Sequence, residues 1–454
     1  MSIRTDWKRF VVVALSLLAL GLAACGGSSV PPRAFVSNNQ VGTLQVLNAQ
    51  TDVDQGAIIT TGPQPGMMAL SPDKSITLVF NAGTKSLAVV SNAAQTVLGR
   101  ITLPSLSTSY VSMGTNTIGF AAVPNFDVSP CSPRCVEVVD LFTTFTVIDT
   151  VNVDSVTQLP LNAASTLVLS PTENKLLVFA ASAEHIDTLT VIDTAIAVST
   201  PSTAATQLGT ADCTNNPTLP ANCFDRPVFG VVSLDGTTAY ILNCGPECGG
   251  TTASVTVLNL LGNRPAPTMT IPVDGASTGV LLNGMLYVAG SPPPPNNSCT
   301  CPPAKVCEAT ATTATSCGRL EIINTASTPP TLITSGVVIS DGYHNQMEVS
   351  SNNKLFIGAI TCSAGCLTIF DTATNQSTVD GITGDVTGIA PISPERDVVY
   401  VVENVVAGSF DCTGQLPCLG KLRIYDATAS VPTLTPAQID VVGRAVDVKY
   451  VDQF

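Results

Sequence analysis

The chain contains little charge, few aromatic residues, two histidines and one tryptophan. Charged residues make up 11% of the 454 residues, and aromatic residues make up 5%. The single tryptophan, Trp7, lies in the N-terminal segment, which argues against aromatic stacking platforms for sugars in the rest of the chain. Two histidines are too few for a histidine-rich metal site, and no Cys-x-x-Cys-His haem-attachment motif occurs. We therefore expect neither a metal nor a cofactor.

The charge that is present is mainly negative. Asp and Glu total 33 against 19 Lys and Arg, which gives a formal net charge of −14. Such a balance argues against nucleic acid and anionic lipid surfaces as partners. The low charge does not indicate disorder, because 45% of the residues are hydrophobic and many of these favour half-buried strands.

The first 24 residues have the order of a secretory signal peptide. Basic Arg4, Lys8 and Arg9 precede an apolar run from Val11 to Leu20, and small residues follow it. A transmembrane helix is the alternative, but the apolar stretch is shorter than the roughly 17–25 residues that span a bilayer. We expect residues 1–24 to be removed on export.

The sequence Leu22-Ala23-Ala24-Cys25 that ends this segment resembles the bacterial lipobox. The resemblance implies that the Cys25 thiol carries a diacylglycerol and that the new amine is acylated. Gly26 stands where lipoproteins of the inner membrane often carry Asp, which favours the outer membrane. Residues 25–32 would then form a lipidated tether of at most about 25 Å. The expected location is a bacterial membrane surface that faces the periplasm or the exterior.

With Cys25 set aside, the other cysteines are even in number and fall into local groups. The chain has 15 cysteines, so 14 remain. Their number and spacing predict seven disulfides and an oxidising compartment, whereas zinc held by thiolates is the alternative. The groups are Cys131 with Cys135, Cys213 with Cys223, Cys244 with Cys248, Cys362 with Cys366, Cys412 with Cys418, and the fourfold group Cys299, Cys301, Cys307 and Cys317.

A repeated pattern of short strands runs through residues 33–454. Each unit has two apolar strands joined by a turn, a variable loop, and a third strand that ends in Asp or Asn. Spacings of about 40–70 residues are typical of four-stranded propeller blades with inserted loops. We predict one all-β propeller of eight blades, with seven as the alternative because Val111 to Val153 is irregular. The second strands of the units lie near Phe35, Thr77, Gly119, Leu176, Ala239, Leu286, Leu355 and Val399.

The two ends of the repeat region predict how the ring closes. The first unit lacks an inner strand, and the stretch from Ala445 to Val451 supplies one. We expect this C-terminal strand to pair with the N-terminal blade. Third strands are assigned by endings such as Val147–Thr150 and Val191–Thr194, in which the Asp can start a turn.

Several of these motifs resemble the YVTN family of β-propellers. They are the turn Ser71–Asp73, the Val-Ile-Asp-Thr endings, and the second-strand sequences Tyr287–Ala289 and Tyr400–Val402. The resemblance covers nearly all of residues 33–454 and implies the propeller fold. It implies no single activity, because the motifs only build blades and the wider superfamily includes lactonase-like, extracellular repeat and cytochrome-type propellers.

Polar residues at the entrances to the inner strands are the candidate ligand-binding residues. In a propeller these entrances surround the mouth of the central channel, on the face that also carries most of the cysteine-rich loops. Arg226 and Arg444 can bind an anion and His344 can shuttle a proton, or these groups pair locally and tie blades together. The candidates are Asp225, Arg226, Tyr343, His344, Asp385 and Arg444.

These features favour a non-catalytic module that binds a protein, a polymer or a small molecule at the channel mouth. No nucleophile elbow of the Gly-x-Ser-x-Gly type occurs in the chain. The alternative is a lactonase-like hydrolase, in which Arg, Asp and His at the mouth polarise an ester. Both hypotheses place the functional site at the channel mouth, so the arrangement of the candidate residues there distinguishes between them.

Overall fold

Eight four-stranded antiparallel sheets follow one another along the chain as the blades of a β-propeller. They are seen in a computed structural model. It describes residues 31–124, 135–157, 161–180, 187–262, 264–292, 318–362, 365–380, 384–392, 396–405, 419–429, 431–442 and 444–452.

The first four blades occupy the N-terminal half of the chain. Blade 1 contains β1 (Arg33–Asn38), β2 (Thr43–Asn48) and β3 (Val53–Thr60). Blade 2 contains β4 (Pro65–Leu70), β5 (Ile76–Asn81), β6 (Ser86–Ser91) and β7 (Thr96–Thr102). Blade 3 contains β8 (Ser109–Ser112), β9 (Ile118–Val123), β10 (Cys135–Asp140) and β11 (Val147–Val151). Blade 4 contains β12 (Ala164–Leu169), β13 (Lys175–Ala180), β14 (Leu189–Asp193), helix α1 (Thr194–Ser199) and β15 (Ala205–Leu208), and helix α2 (Thr210–Thr214) follows it.

The other four blades and the closing strand complete the ring. Blade 5 contains β16 (Pro227–Val232), β17 (Thr238–Asn243), β18 (Ser254–Asn259) and β19 (Ala266–Pro272). Blade 6 contains β20 (Thr278–Leu282), β21 (Met285–Gly290), β22 (Gly318–Asn324) and β23 (Thr331–Ile339). Blade 7 contains β24 (Tyr343–Val349), β25 (Lys354–Ile360), β26 (Leu367–Asp371) and β27 (Gln376–Asp380). Blade 8 contains β28 (Gly384–Ile392), β29 (Val398–Val405), β30 (Leu419–Asp426) and β31 (Thr433–Val442), and β32 (Ala445–Tyr450) is the last strand.

The last strand closes the ring. β32 pairs with β1, with Ala34 opposite Tyr450, and becomes the inner strand of blade 1. The predictions of eight blades and of this closure are confirmed, and the seven-blade alternative is excluded. All eight second strands also lie where the repeat pattern placed them.

The core consists of apolar layers between neighbouring blades. Every residue of β5 is buried, because a middle strand packs against another blade on each of its faces. One layer joins blades 8 and 1 and contains Tyr400, Leu422 and Val448. Valine, leucine and isoleucine therefore run almost without interruption along the middle strands.

Ion pairs fasten the junction where the chain ends meet. The Arg396 guanidinium donates to both carboxylate oxygens of Asp52 at 2.7 Å, and the Tyr400 hydroxyl donates to the same carboxylate. Arg33, at the start of β1, pairs with Asp452, which follows β32. Each pair joins residues far apart in the sequence, so the ring is held by charge as well as by its ladders.

One strand assignment was wrong. Val147–Thr150 lies in β11, the fourth strand of blade 3, whereas the third strand is β10. The turn-starting carboxylate there is Asp140, which accepts hydrogen bonds from the backbone N–H groups of Phe142 and Thr143. Two similar apolar-Asp sequences lie close together here, and a local pattern cannot distinguish which of them comes first in the sheet.

The blades define two faces of the disc. The mouth face carries the loops from second to third strands and the connections that enter each inner strand. The base face carries the turns from first to second strands and from third to fourth strands, and β1 begins there at Arg33. In the part of the chain that the structure describes, neither helix has the length and apolar character needed to cross a membrane.

Candidate binding site on the mouth face

Three disulfides are present among the described cysteines. Cys244–Cys248 and Cys362–Cys366 close second-to-third-strand loops of blades 5 and 7 on the mouth face. Cys213–Cys223 instead lies buried in the layer between blades 4 and 5. Three disulfides in one domain indicate an oxidising compartment.

The other cysteine predictions cannot be compared with the structure. The backbone of Cys135 begins β10, but its predicted partner lies outside the described residues. Also outside them are Cys25, Cys131, Cys299, Cys301, Cys307, Cys317, Cys412 and Cys418. The disulfides predicted for these residues and the lipidation of Cys25 stay predictions.

Asp225 organises the loop of blade 5 on the mouth face. Its carboxylate is buried and accepts hydrogen bonds from the backbone N–H groups of Thr251 and Thr252, at 2.9 and 2.8 Å. The Thr251 hydroxyl donates to the same oxygen. Asp225 therefore fixes the end of the loop that begins with the Cys244–Cys248 disulfide.

Arg226 follows with a left-handed backbone, at a φ of 60°. Its N–H donates to Asp187 at 3.2 Å, and its guanidinium lies 3.7 Å from the same carboxylate. A second guanidinium nitrogen reaches the carbonyl of Gly249 at 3.4 Å. Arg226 thus joins blade 4 to the loop of blade 5, as expected if such groups pair locally.

Glu247 is the centre of the candidate site, where loops of blades 5, 6 and 7 meet. Its carboxylate accepts a hydrogen bond from the backbone N–H of Ser291 at 3.0 Å. The Ser291 hydroxyl in turn donates to the carbonyl of Gly342 at 2.7 Å. Tyr343 follows directly, close enough for the negative charge of Glu247 to affect its phenol. Consecutive loops are therefore linked around one carboxyl group.

A close approach of two glycines positions Ser291. A Cβ added at Gly290 would lie 2.4 Å from backbone atoms of Gly275 and Ala276, which real side chains do not tolerate. Gly290 ends β21, directly before Ser291. Because neither glycine has a side chain, the backbones at Gly275 and Gly290 can approach closely. This approach places Ser291 within hydrogen-bonding distance of Glu247.

The Glu247 carboxyl titrates near neutrality. Burial raises its pKa from 4.5 to about 7, against the lowering effect of the hydrogen bond from Ser291. Burial together with the charge of Glu247 raises the pKa of the Tyr343 phenol to about 12. At neutral pH Glu247 is therefore present in both forms, as a hydrogen-bond donor and as an anion, while Tyr343 keeps its proton.

The remaining candidates do not gather around Glu247. His344 is 0% exposed, and burial lowers the pKa of its imidazole to about 4, so the ring is neutral at physiological pH. Its Nε2 lies 3.5 Å from the Ser340 hydroxyl. Asp385 accepts a hydrogen bond from the N–H of Thr361 at 2.6 Å, and Arg444 is exposed just before β32.

A second charged group lies towards the ring axis and was not foreseen. Asp447 of β32 is fully buried and accepts a hydrogen bond from the N–H of Met68 in blade 2 at 2.8 Å. A Cβ on Gly388 of blade 8 would lie 2.6 Å from this carboxylate. Burial opposes ionisation of Lys449, but the charges of Asp447 and Glu348 outweigh it and raise the Lys449 pKa. Among the described residues, no group of three His, Cys, Asp or Glu side chains is arranged to hold a metal ion.

The raised pKa of Glu247 predicts a pH-dependent stability. The folded protein binds this proton more tightly than the unfolded chain, so ionisation lowers the free energy of unfolding as pH rises from 4.5 to about 7. We expect Glu247→Gln to abolish this loss of about 3 kcal/mol, seen as a higher stability than wild type at pH 8 and little difference at pH 4.

Urea unfolding at the two pH values measures this effect. Glu173→Gln is the matched control, because the same change is made on the base face, where Glu173 accepts a hydrogen bond from the N–H of Gly114. If the stability of wild type and of Glu247→Gln changed equally with pH, the raised pKa could not be assigned to Glu247.

Comparison with known proteins supports the fold. No family model matches the chain, and no curated protein matches it. The dihydro-haem d1 dehydrogenase NirN, in complex with DHE, superposes with a TM-score of 0.64 at 11% identity, over 92% of this chain and 75% of that one.

Two further solved structures superpose with lower scores. AztD of Citrobacter koseri, in its apo form, gives a TM-score of 0.53 at 12% identity, over 92% of this chain and 96% of that one. Hydrazine synthase of Kuenenia stuttgartiensis gives 0.52 at 15% identity, over 84% and 98%. At such identities these likenesses establish the fold alone, and the chain is an eight-bladed β-propeller similar to NirN and AztD.

Proposed function

We propose that the protein is an exported, lipid-anchored propeller of the YVTN type that acts as a non-catalytic binding module. Its ligand would bind on the mouth face, at Glu247. The observation that carries the proposal is the linkage of loops from blades 5, 6 and 7 around one carboxyl group whose pKa is about 7.

The described mouth loop of blade 5 supports binding because a disulfide and buried hydrogen bonds fix its conformation. The disulfide Cys244–Cys248 encloses Glu247, and Asp225 holds the far end of the same loop through hydrogen bonds to backbone N–H groups. A surface that is already ordered loses little conformational entropy on binding, and therefore keeps more of its interaction energy as affinity.

The site favours a ligand that carries a protonated amine. Glu247 is an anion above its pKa of about 7, and the chain as a whole carries an excess of acidic residues. A cation beside a partly buried carboxylate stabilises the charged form, so binding would release a proton near neutral pH. Such a cation can belong to a small molecule or to a lysine side chain of a protein.

The lactonase-like alternative has less support. It requires His344 and Arg226 at an open site, but His344 is 0% exposed and Arg226 is engaged with Asp187. Hydrolysis of a lactone panel that is abolished by His344→Ala or by Arg226→Ala would restore this alternative.

Calorimetric titration with spermidine, a linear polyamine, tests the binding site. We expect binding to be about tenfold weaker at pH 6 than at pH 8, because at pH 6 most Glu247 carboxyls are protonated. Glu247→Gln should lose the pH dependence and most of the affinity. Asp235→Asn, on an exposed turn of the base face, is the matched control and should bind as wild type does. Binding that Glu247→Gln leaves unchanged would contradict the site.

The anchor has a separate test. In cells fed with an alkyne analogue of palmitate, we expect the wild-type chain to be labelled and to sediment with membranes, and Cys25→Ser to lose both properties. Cys244→Ser, which breaks a mouth-face disulfide and frees the Cys248 thiol, controls for labelling at cysteines other than Cys25. Equal labelling of wild type and Cys25→Ser would refute lipidation at this residue.

A further inference from the structure

Large apolar side chains are exposed on the base face of three consecutive blades. Phe142 of blade 3 is 68% exposed, and Leu234 and Leu261 of blade 5 are 85% and 62% exposed. Between them, helix α1 of blade 4 turns Ile196 and Val198 outwards while Ala197 is buried. We call these five residues the apolar rim.

The rim residues lie at the tips of turns rather than in the blade layers. Phe142 and Leu261 lie in turns between third and fourth strands, and Leu234 lies in a turn between a first and a second strand. Hydrogen bonds within two of these turns fix their shapes. Asp140 accepts hydrogen bonds in the turn that contains Phe142, and Asp235 accepts hydrogen bonds from Ser233 and Thr237 in the turn that contains Leu234. The apolar side chains are thus presented outwards from rigid turns.

A second, independent observation concerns the start of the propeller. β1 begins at Arg33, on the base face, and its guanidinium pairs with Asp452 and donates to the carbonyl of Asn92 at 2.8 Å. The chain therefore enters the propeller on the base face, and Cys25 precedes this entry by eight residues in the sequence. A lipid on Cys25, as proposed above, would be joined through a short linker to the end of β1 that lies on the base face.

We propose that the base face rests on the lipid bilayer and inserts the apolar rim into its interface. Side chains of this kind enter the boundary between headgroups and acyl chains to a depth of about 5–10 Å, at a gain that scales with the apolar area buried. This inference rests on the lipid anchor proposed above, which would supply proximity, while the rim supplies orientation with the mouth face turned away from the membrane.

The lipid partner has a defined charge character. The carboxylates of Asp140 and Asp235 stand beside Phe142 and Leu234, and hydrogen bonds from their own turns lower both pKa values, to about 2 for Asp140. These groups stay negative in neutral solution and repel anionic headgroups. The rim therefore fits a zwitterionic surface such as phosphatidylcholine or phosphatidylethanolamine.

Tryptophan reporters test the proposal, because Trp7 is the only tryptophan of the chain. In a Trp7→Phe background, the full chain carrying Leu234→Trp or Phe142→Trp is reconstituted on phosphatidylcholine vesicles with brominated acyl chains. Insertion into the interface should blue-shift the emission and quench it at least about twofold. Leu106→Trp, which is 44% exposed on the mouth face, is the matched control and should stay unquenched.

The outcomes separate the rim from the anchor. Vesicle-bound protein with no quenching at Leu234→Trp and Phe142→Trp would overturn the proposal and leave the lipidation of Cys25 intact. Equal quenching at Leu106→Trp would also overturn it, since no face would then be preferred. Blue-shifted emission in the absence of vesicles, with a dimer in light scattering, would assign the rim to a second copy of the chain. Adding phosphatidylglycerol should weaken the quenching, and stronger quenching would refute the charge argument.

Discussion

Deleting residues 445–454 is expected to abolish the folded ring. The deletion removes β32, so β1 loses one of its two ladders and Arg33 loses Asp452. It also removes Val448 and Tyr450 from the layer between blades 8 and 1. Each large apolar side chain contributes about 1.5–3 kcal/mol, so the loss approaches the whole stability of about 5–15 kcal/mol that a domain has.

Circular dichroism during guanidinium unfolding measures this loss. We expect the truncated chain to show no cooperative transition, and a synthetic peptide of residues 445–454 to restore it in part. A Val431→Ser variant, changed at an exposed position just before β31 of blade 8, should unfold as wild type does. A truncated chain with a wild-type midpoint would show that β32 is dispensable for closure.

Asp447→Ala is expected to destabilise the protein by about 3–5 kcal/mol. The substitution leaves the buried N–H groups of Met68 and Val448 without their acceptor, and it removes the close carboxylate of Lys449, whose side chain is 21% exposed. Asp447→Asn keeps an acceptor oxygen and should lose less. Denaturant midpoints measure both, and Asp235→Ala, at an exposed turn, is the control that should unfold close to the wild-type midpoint. A midpoint for Asp447→Ala equal to that control would show that the buried charge is not needed.

The fold could be predicted because its signals are local and repeated. Most blades need a tight turn between their first two strands, so motifs such as Ser71-Pro72-Asp73 and Ser170-Pro171 recur in several units and mark the second strand that follows. The missing inner strand of the first unit and the spare strand from Ala445 could only be matched with each other. Val147–Thr150 was wrongly assigned to a third strand because blade 3 contains two similar apolar-Asp sequences, one in β10 and one in β11. The order of strands within a sheet cannot be read from such a local pattern.

The candidate site could be predicted only in its general position. Asp225 and Arg226 do lie at the mouth face, but they hold loops together. His344 was expected at an open entrance, whereas the strand that contains it begins one residue earlier and turns the ring inwards. Glu247 did carry a signal, since it is the one acidic residue enclosed by the Cys244–Cys248 loop. Its pKa depends on burial by other blades, which no sequence pattern specifies.

The position of Arg33 also has a mechanical consequence. Force on a tethered protein enters at the N-terminal end of β1, a strand flanked by β2 on one side and β32 on the other. A pull away from the base face runs along the strand, so it loads both hydrogen-bond ladders in shear and must break many bonds together rather than one after another. A tether joined to an edge strand would peel it open at low force, whereas this attachment point is suited to carry a load.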